Sequence, residues 1–317
     1  MTLKPDNPSL QFPKGIQSLD PETLGLAYGF LGVLVFSLSL PATRLAVADL
    51  DSTFVGLGRA VVASILAALL LKVTRQPLPH RRHWLSLFIV AAGVIVGVPL
   101  LSAWAMRSSP ASHGAIVLGI LPLATALIGA LRTGDRPSLS FWLYSSIGSA
   151  IVVIFAVITG GGSIQIDDLL LLGAVAAAAL GYAEGGHLSR DLGGWQVICW
   201  ALVLSAPILV LPTAFSAAQH GVQASWQAWL GFAYLSVFSM FLGFFAWYHG
   251  LAIGGVARVS QMQLLQPFLT IFASTVFLHE QVTPLTITTA LGVVAMVALG
   301  KKAPIVRSQR DGIGDAC

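Results

Sequence analysis

Ten long apolar stretches follow one another between residues 24 and 300, separated by short polar segments. The hydrocarbon core of a bilayer is about 30 Å thick, and a helix rising 1.5 Å per residue crosses it in about 20 residues. Each stretch is close to that length. The pattern therefore predicts ten membrane-spanning helices, spans 1 to 10, at residues 24–47, 55–72, 84–106, 112–131, 139–158, 167–187, 196–215, 226–250, 256–278 and 283–300.

The composition of the chain supports membrane insertion. Hydrophobic residues make up 56% of it, charged residues 9%, and the mean hydropathy is +0.83. These values leave too little polar surface for a soluble protein of 33.3 kDa, so the soluble class is excluded. The pI is near 9.3, but the basic residues are scattered through short loops, and we expect no nucleic-acid partner. Polar and proline-containing residues precede span 1, so we predict no cleaved signal peptide.

The basic residues indicate how the chain crosses the membrane. If residues 1–23 are cytoplasmic, fourteen of the seventeen Lys and Arg residues fall on the inner side, and only Arg44, Arg59 and Arg107 do not. Cytoplasmic loops of membrane proteins are rich in Lys and Arg. We therefore predict a multi-pass protein of the inner (plasma) membrane, with residues 1–23 and the tail 301–317 in the cytoplasm.

The second half of the chain reads as a diverged copy of the first, because a shift of 145 residues keeps the hydropathy pattern in phase. Each half contains five spans, an odd number, so the copy would enter the membrane in the opposite orientation. The sequence predicts an all-α integral membrane protein of two inverted five-helix repeats, residues 24–158 and 167–300. The residues that coincide after the shift are Trp84 with Trp229, Leu85 with Leu230, Pro122 with Pro267, Thr125 with Thr270 and Asp135 with Glu280.

Short motifs occur in a characteristic order along the chain: Pro41-Ala-Thr-Arg-Leu-Ala, Gly56-Leu-Gly-Arg-Ala, Leu121-Pro-Leu-Ala-Thr-Ala-Leu, Gln266-Pro-Phe-Leu-Thr, Leu278-His-Glu-Gln and Ala290-Leu-Gly-Val-Val-Ala. In this order they resemble the EamA-type ten-span members of the drug/metabolite transporter superfamily. The resemblance implies two inverted halves around a central cavity. It also implies a secondary active transporter that works by alternating access and exports or exchanges small metabolites, amino acids or related compounds among them. A flippase or exporter of lipid-linked or hydrophobic drug-like substrates is the alternative.

Arg59 and Glu184 are ionisable side chains lodged within otherwise apolar predicted spans, where each costs roughly 2.5 to 3.5 kcal/mol on insertion scales. Arg59 either anchors span 2 near its outer end, with an acidic partner such as Asp51, or holds a substrate carboxylate. Glu184 either exchanges a proton or binds an amine, or it belongs to a structural ion pair or polar cluster near the cytoplasmic surface, with Arg190 as its candidate partner. His187 follows Glu184 at i+3, and we expect both on one helix face.

Span 9 carries polar residues where span 4 is apolar. Gln263 and Gln266 correspond to Leu118 and Leu121 after the 145-residue shift, so a cavity for an asymmetric substrate is one reading and interhelical hydrogen bonding is the other. Pro267 would leave the carbonyl near Gln263 without its helical donor. We predict Pro267 and its counterpart Pro122 as hinges, and kinks without gating are the alternative.

Aromatic residues and histidines supply further candidates for the substrate site. Trp104, Tyr182 and Tyr248 could line an aromatic cavity, and His113 and His249 could add donors or a group that titrates near neutral pH. Aromatic residues at span ends more often form interfacial belts. We predict all five as substrate-binding residues.

The sequence lacks the motifs of the main rival classes. It contains no Gly-x4-Gly-Lys-Ser/Thr loop for ATP, no zinc-protease helix and no Gly-x-Ser-x-Gly nucleophile, so we predict no enzyme, no cofactor and no metal site. The predicted partners are a small-molecule substrate and the lipid bilayer, with the proton as the candidate coupling ion. The sequence is compatible with a monomer and leaves the oligomeric state open.

Overall fold

A computed structural model describes residues 20–133, 136–159, 166–279, 283–302 and 305–306. Most of the predicted N-terminal segment and C-terminal tail, and the paired residues Asp135 and Glu280, lie outside the described residues. The described part is helical apart from one antiparallel pair of two-residue strands, Arg136–Pro137 (β1) with Ile305–Val306 (β2). Its helices are α1 (Pro21–Ala46), α2 (Ser52–Val73), α3 (Arg81–Ala105), α4 (Ala111–Thr133), α5 (Leu139–Thr159), α6 (Ile166–Leu192), α7 (Gly194–His220), α8 (Trp226–Gly254), α9 (Val256–Leu278) and α10 (Pro284–Lys302).

Eight of the described helices, α1 to α4 and α6 to α9, are long and apolar enough to cross a membrane. Large apolar side chains such as Ile65, Leu211 and Trp226 are exposed along these helices, as lipid-facing residues are in a membrane protein. The prediction of an all-helical membrane protein is therefore confirmed. The two remaining predicted spans correspond to α5 and α10, which pack against each other.

Polar caps set where the helices begin. The side chain of Asp20 accepts a hydrogen bond from the backbone N–H of Thr23 at the start of α1, and Ser225 does the same for Ala228 at the start of α8. Such caps satisfy backbone donors that the first turn leaves free. α1 and α2, which Asp20 and Asp51 cap, begin a few residues before the predicted spans, because polar capping residues are not detected by hydropathy.

The helix starts repeat along the chain at a constant spacing. Four of the five helices in the first half begin 145 residues before a helix of the second half. The exception is α2, which begins at Ser52, while α7 begins at Gly194. The matching starts are Pro21 with Ile166, Arg81 with Trp226, Ala111 with Val256 and Leu139 with Pro284.

Four irregular segments inside the helices, two in each half, form pairs whose last residues are 145 residues apart. A π-helical segment interrupts α3 and another interrupts α8, while a tighter 3₁₀ segment interrupts α4 and another interrupts α9. After the 3₁₀ segments the α-helix resumes at Leu121 and, 145 residues later, at Gln266. Breaks of this kind are uncommon and local, so their coincidence supports a common origin of the two halves. The four segments are Ala91–Gly97, Leu235–Leu242, Leu118–Ile120 and Ser260–Leu265.

Glycines allow the closest helix contacts. A methyl group at Gly25 of α1 would come within 2.4 Å of the Cα atom of Gly254 on α8. A methyl group at Gly93 of α3 would come within 2.5 Å of a backbone carbonyl of α6, at Ala177. Only glycine fits at these positions, since real Cβ atoms do not approach backbone atoms so closely.

The helix pairs follow the same twofold pattern. α1 packs on α8 and α6 packs on α3, while α4 packs on α6 and α9 packs on α1. Three further pairs, α2 with α7, α4 with α9 and α5 with α10, join corresponding helices. Exchanging the first five helices with the last five leaves this set of pairs unchanged. The cavity described next lies at the centre of the pattern.

Candidate functional site

A cavity lies between the two halves and is lined by seven helices, α1 to α4, α6, α8 and α9. It leaves about 60 Å³ for the centres of water molecules. A single water needs about 10 to 15 Å³ by this measure, so the cavity has room for about four to six waters or the equivalent volume of a small solute. Both halves contribute polar and aromatic side chains to its wall.

Arg59 of α2 is the charged residue of the cavity wall. Its side chain is 3% exposed, and its Nη2 atom donates to Ser102 Oγ of α3 at 3.4 Å. Within the described residues its Nε atom has no hydrogen-bond partner, and no acidic side chain pairs with the guanidinium. The side chain therefore does not extend to the membrane surface as an anchor would.

Asp51 does not pair with Arg59, contrary to one of the two roles predicted for this arginine. The Asp51 carboxylate caps α2 by accepting from the backbone N–H groups of Thr53 and Phe54. It also accepts from the hydroxyl of Ser216 on α7 at 2.5 Å. These donors already occupy the Asp51 carboxylate, and the substrate-binding role of Arg59 stays a prediction.

Hydroxyl groups cover part of the cavity wall. Ser39 Oγ of α1 lies 2.7 Å from Ser239 Oγ of α8, and the Thr43 hydroxyl donates to the backbone carbonyl of Ser39 at 2.7 Å. Sequence reasoning missed Ser39, Thr43 and Ser239. In the sequence, each of these residues is only a small polar residue within an apolar span. That pattern does not identify a cavity residue, because many such hydroxyls, for example that of Ser37, bond only to their own helix.

Aromatic rings form another part of the wall. Phe36 of α1 and Phe244 of α8 have ring centroids 5.0 Å apart, and Tyr182 of α6 stacks on Phe36 at 6.4 Å. Trp247 packs behind Tyr182, with centroids 5.3 Å apart, and is fully buried. The structure thus places Tyr182 in the cavity as predicted from sequence, and its contact with a substrate stays a prediction.

Glu184 lies on α6 but does not line the cavity. Its side chain is 7% exposed, and Oε1 accepts from the hydroxyl of Ser86 on α3 at 2.5 Å. His187 and Arg190 are exposed, so neither shares the buried face of Glu184. An i+3 step rotates a residue by about 60°, and here it leads from the buried sector to the exposed one, so a joint role of Glu184 and His187 stays a prediction.

The two glutamines of α9 occupy different environments. Gln266 lines the cavity, whereas Gln263 is 1% exposed and, among the described residues, neither its Oε1 nor its Nε2 has a hydrogen-bond partner. Burial of an unsatisfied amide costs about 1 to 3 kcal/mol. Such a cost is expected where a polar group serves a function or binds water.

The carbonyl of Gln263 is not left without a donor, which corrects the sequence expectation for Pro267. The helix tightens into a 3₁₀ turn, and the Gln266 N–H donates to the Gln263 carbonyl. Pro267 then sits in the first turn of the resumed helix, where its missing N–H costs nothing. Pro122 occupies the same position of α4, after the Leu121 N–H has bonded to Leu118.

Trp104 and His113 lie outside the cavity. Trp104, near the end of α3, is 38% exposed and donates from its indole Nε1 to Thr53 Oγ1 at 3.2 Å. His113, in the first turn of α4, places Nε2 2.5 Å from Asp168 Oδ1 of α6. Trp104 is not among the residues that line this cavity, because the last turn of α3 directs it toward α2, and its contact with a substrate stays a prediction.

Tyr248 and His249 of α8 pack between helices. The Tyr248 hydroxyl donates to the carbonyl of Gly181 at 3.1 Å, and its buried ring lies against Gly185. His249 meets the ring of Tyr28 edge-on, with centroids 4.6 Å apart. Neither residue lines the cavity. In the described part of the chain, no three His, Cys, Asp or Glu side chains come together as ligands of a metal ion would.

Known proteins similar to this chain are transporters. The sequence model of the EamA-like transporter family matches residues 23–159 and 165–299. YdeK of Bacillus subtilis (strain 168), an uncharacterized transporter, is 46% identical over 284 residues, which cover 90% of this chain and 99% of YdeK. A probable terminal-alkyne amino-acid exporter of Streptantibioticus cattleyicolor is 22% identical over 274 residues, 86% of this chain and 92% of the exporter.

A solved structure has the same fold. One crystal structure superposes with a TM-score of 0.69 at 17% sequence identity and covers 88% of this chain and 98% of its own. At that identity the likeness concerns the fold alone. Together with the family match over both halves, the observations identify the chain as a member of the EamA-like transporter family, a multi-pass membrane transporter and not an enzyme.

Proposed function

We propose that the chain is a secondary active transporter that exports or exchanges small metabolites bearing a carboxylate, amino acids or related compounds first among them. The observation that carries the proposal is the Arg59 guanidinium, buried in the cavity wall with no acidic partner among the described residues. A buried charge without a counter-charge is costly. An anionic substrate would supply the counter-charge and could accept two parallel hydrogen bonds from the guanidinium.

The rest of the wall suits an amphipathic substrate. The hydroxyls of Ser39, Thr43 and Ser239 offer donors and acceptors for polar groups, and the rings of Phe36 and Phe244 offer an apolar surface. An amino acid combines a carboxylate and an amine with a side chain that such rings can cover. The 22% identical relative named as an amino-acid exporter adds support for this substrate class.

We further propose that ten helices cross the plasma membrane as two inverted repeats, residues 24–158 and 167–300. The 145-residue spacing of four of the five helix starts, and of the ends of the π and 3₁₀ segments, supports a duplication. Five helices per half would then place the copies in opposite orientations. The distribution of Lys and Arg supports cytoplasmic segments at 1–23 and 301–317.

Alternating access would proceed by movement of one half against the other around the cavity. The 3₁₀ turns that precede Pro122 and Pro267 are natural hinges, because a broken helix bends there without losing regular hydrogen bonds. α4 and α9 line the cavity at these breaks, through Leu121 and Gln266 respectively. Bending would therefore change the cavity shape directly.

A lateral groove favours a second candidate, transport of hydrophobic or lipid-linked substrates. Apolar residues of α1, α8 and α9 line a groove of about 230 Å³ on the opposite side of α1 from the cavity. Its walls include Leu38, Pro41, Tyr234 and Phe277. A hydrophobic substrate could enter from the bilayer through a groove of this kind.

Counterflow by purified protein in liposomes tests the proposal. The liposomes are loaded with pooled amino acids and nucleobases, and exchange is read by mass spectrometry. We expect exchange of carboxylate-bearing compounds. Arg59→Gln should reduce it about ten- to hundredfold, because hydrogen bonds to charged groups contribute about 1.5 to 3 kcal/mol. The exchange rate of Arg59→Lys should lie between those of the parent and Arg59→Gln, since an ammonium keeps the positive charge but cannot donate two parallel hydrogen bonds.

The matched control is Arg107→Gln, since Arg107 is exposed at the end of α3. This variant should exchange like the parent protein. Equal exchange by Arg59→Gln and the parent would contradict a carboxylate site at Arg59. Exchange confined to fluorescent lipids or hydrophobic drugs, added in a second set of liposomes, would favour the groove and the alternative substrate class.

A further inference from the structure

We propose that two cross-helix ion pairs, His113 with Asp168 and Arg258 with Glu22, are matched latches that hold opposite ends of the cavity closed, and that only the His113 latch responds to pH. The proposal rests on the alternating-access function proposed above. It adds a gate at each end and identifies the end that the proton controls.

The first latch joins α4 to α6. His113 Nε2 lies 2.5 Å from Asp168 Oδ1, and both side chains are half-buried. The hydroxyls of Ser108 and Ser109, just before α4, donate to the Asp167 carboxylate at 2.7 and 2.9 Å. The first turn of α6 thus contacts the N-terminal end of α4 through the side chains of Ser108, Ser109 and His113.

The second latch joins α9 to α1. Arg258 Nη1 and Glu22 Oε2 form an ion pair between the first turns of the two helices. Both side chains are half-buried. The pair lies at the opposite end of the repeat pattern from the first latch, since α9 and α1 are the counterparts of α4 and α6.

The two latches occupy equivalent positions. Adding 145 to His113 leads to Arg258, and adding 145 to Glu22 leads to Asp167, the neighbour of Asp168. In an inverted arrangement, equivalent positions lie on opposite faces of the membrane. With the N-terminus in the cytoplasm, the His113 latch is external and the Arg258 latch is cytoplasmic.

Each latch connects helices that line the cavity. α4 and α6 contribute Leu121 and Tyr182 to its wall, and α1 and α9 contribute Ser39 and Gln266. At the His113 end, a cluster of buried apolar side chains packs across α1, α3, α4, α6 and α9 between the helix ends. The cluster contains Leu40, Ala105, Met106, Ala111, Ala115, Leu171 and Ile271. Opening this end requires α4 to separate from α6, which breaks the latch.

The latches differ in how they respond to protons. Arginine stays charged, whereas histidine changes its charge between about pH 5 and 8. A protonated His113 forms a charge-assisted bond to Asp168, roughly twice as strong as the neutral bond. Acid outside the cell should therefore close the His113 end and alkali should loosen it, until the pH falls far enough to protonate the carboxylates.

Other charged groups around His113 do not reverse this sign. α6 presents the acidic Asp167 beside Asp168 in its first turn, and neither residue is basic. Arg44 of α1 is engaged with the backbone carbonyl of Met106 at 2.6 Å, and Arg107 is exposed. His279, at the end of α9, is exposed. The described residues of α5, which also packs on α4, carry no charged side chain.

Thiol labelling in intact cells tests the latch without a known substrate. The full chain carries Cys199→Ala and Cys317→Ser, with a reporter cysteine at Ala174, a buried residue of the cavity wall. A second protein carries a reference cysteine at the exposed Gln219 instead. A membrane-impermeant methanethiosulfonate is added outside at pH 5.5 and pH 8, and the Ala174→Cys rate is divided by the reference rate.

We expect this ratio to rise at least threefold from pH 5.5 to pH 8. In His113→Gln, the Ala174→Cys reporter should be labelled fast at both pH values. In His113→Arg, which reproduces the charged pair of the second latch, it should be labelled slowly at both. Asp168→Asn should lose the pH dependence as His113→Gln does. His279→Gln is the matched control and should keep the threefold rise.

Two results would overturn the latch in different ways. If the reference cysteine is labelled but the ratio of labelling rates is the same at pH 5.5 and pH 8, the pH-sensitive gate is overturned. The gate is also overturned if the ratio still rises with pH in His113→Gln. Neither result affects the proposal that the chain is a transporter. An unlabelled reference cysteine would instead overturn the proposed membrane orientation, and with it the external position of the latch. Each variant is first checked for a monodisperse, folded peak in detergent.

Discussion

The hydroxyl groups of Ser39 and Ser239 lie 2.7 Å apart, although 200 residues separate them along the chain. Ser39 follows the break in α1 at Leu38, and Ser239 lies in the π-helical segment of α8. Both irregular segments rotate side chains out of the regular helical register and place the two hydroxyls at the cavity. The two halves of the transporter therefore meet through a hydrogen bond at the candidate substrate site.

Replacement of either serine should weaken substrate binding. Ser39→Ala and Ser239→Ala each remove a hydroxyl from the cavity wall, and a neutral hydrogen bond contributes about 0.5 to 1.5 kcal/mol. We expect the KM for counterflow to rise about two- to tenfold with little change in the maximal rate. Ser37→Ala is the control, because the Ser37 hydroxyl bonds only to the Val33 carbonyl of its own helix. An unchanged KM in both cavity variants would assign the pair a purely structural role.

Gln263→Leu should make the protein more stable and less active. Leucine has a similar size and removes a buried amide that has no partner among the described residues, which relieves a cost of about 1 to 3 kcal/mol. If Gln263 serves the cargo through bound water, transport should fall in the same variant. Thermal unfolding in detergent and counterflow measure the two effects. A variant that is more stable and fully active would remove Gln263 from the substrate site.

Glycine contacts between α1 and α8 should be intolerant of a methyl group. Gly25→Ala would place its Cβ atom 2.4 Å from the Gly254 Cα atom, so the two helices would have to separate. We expect a loss of about 1 to 3 kcal/mol, seen as a lower unfolding temperature in detergent. The control is Gly292→Ala in α10, where the nearest atom would be 3.9 Å away. Equal unfolding temperatures for the two variants would contradict this packing.

Glu184 is the residue to test for proton coupling, because it is a buried carboxylate within an apolar helix. If it carries the coupling proton, Glu184→Gln should abolish flux driven by a pH gradient and keep counterflow, which needs no net proton movement. Ser86→Ala, which removes one hydrogen-bond donor to Glu184, should leave gradient-driven flux in place. Persistent gradient-driven flux in Glu184→Gln would assign Glu184 a structural role.

Acid should weaken the connection between α2 and α7 through Asp51. Burial disfavours the ionised carboxylate, but hydrogen bonds from Ser216, Phe54 and Thr53 outweigh it and lower the pKa of Asp51 below its ordinary 3.8. A lowered pKa stabilises the fold above the unfolded value, and this stability is lost as the pH falls through the folded value. Asp51→Asn should therefore lower the unfolding temperature at pH 7 and flatten its decline toward pH 3. Equal pH profiles of the variant and the parent would contradict this role.

The sequence by itself determined the membrane class, the approximate position of each helix and the 145-residue period. These features depend on local properties, because a bilayer selects for length and hydropathy along one segment at a time. Even the repeat is visible locally, since matched residues such as Pro122 and Pro267 keep their spacing. The period then reappears in the structure as coincident helix starts and helix breaks.

Only the tertiary structure decided which side chains face the cavity. A helix can rotate about its own axis without changing its hydropathy, so sequence could not separate Tyr182, which lines the cavity, from Glu184, two residues later, which packs on Ser86. The same freedom hid the meeting of Ser39 with Ser239 and directed Trp104 away from the site. Helix rotation is set by contacts between distant segments, above all the glycine contacts and the local π and 3₁₀ turns.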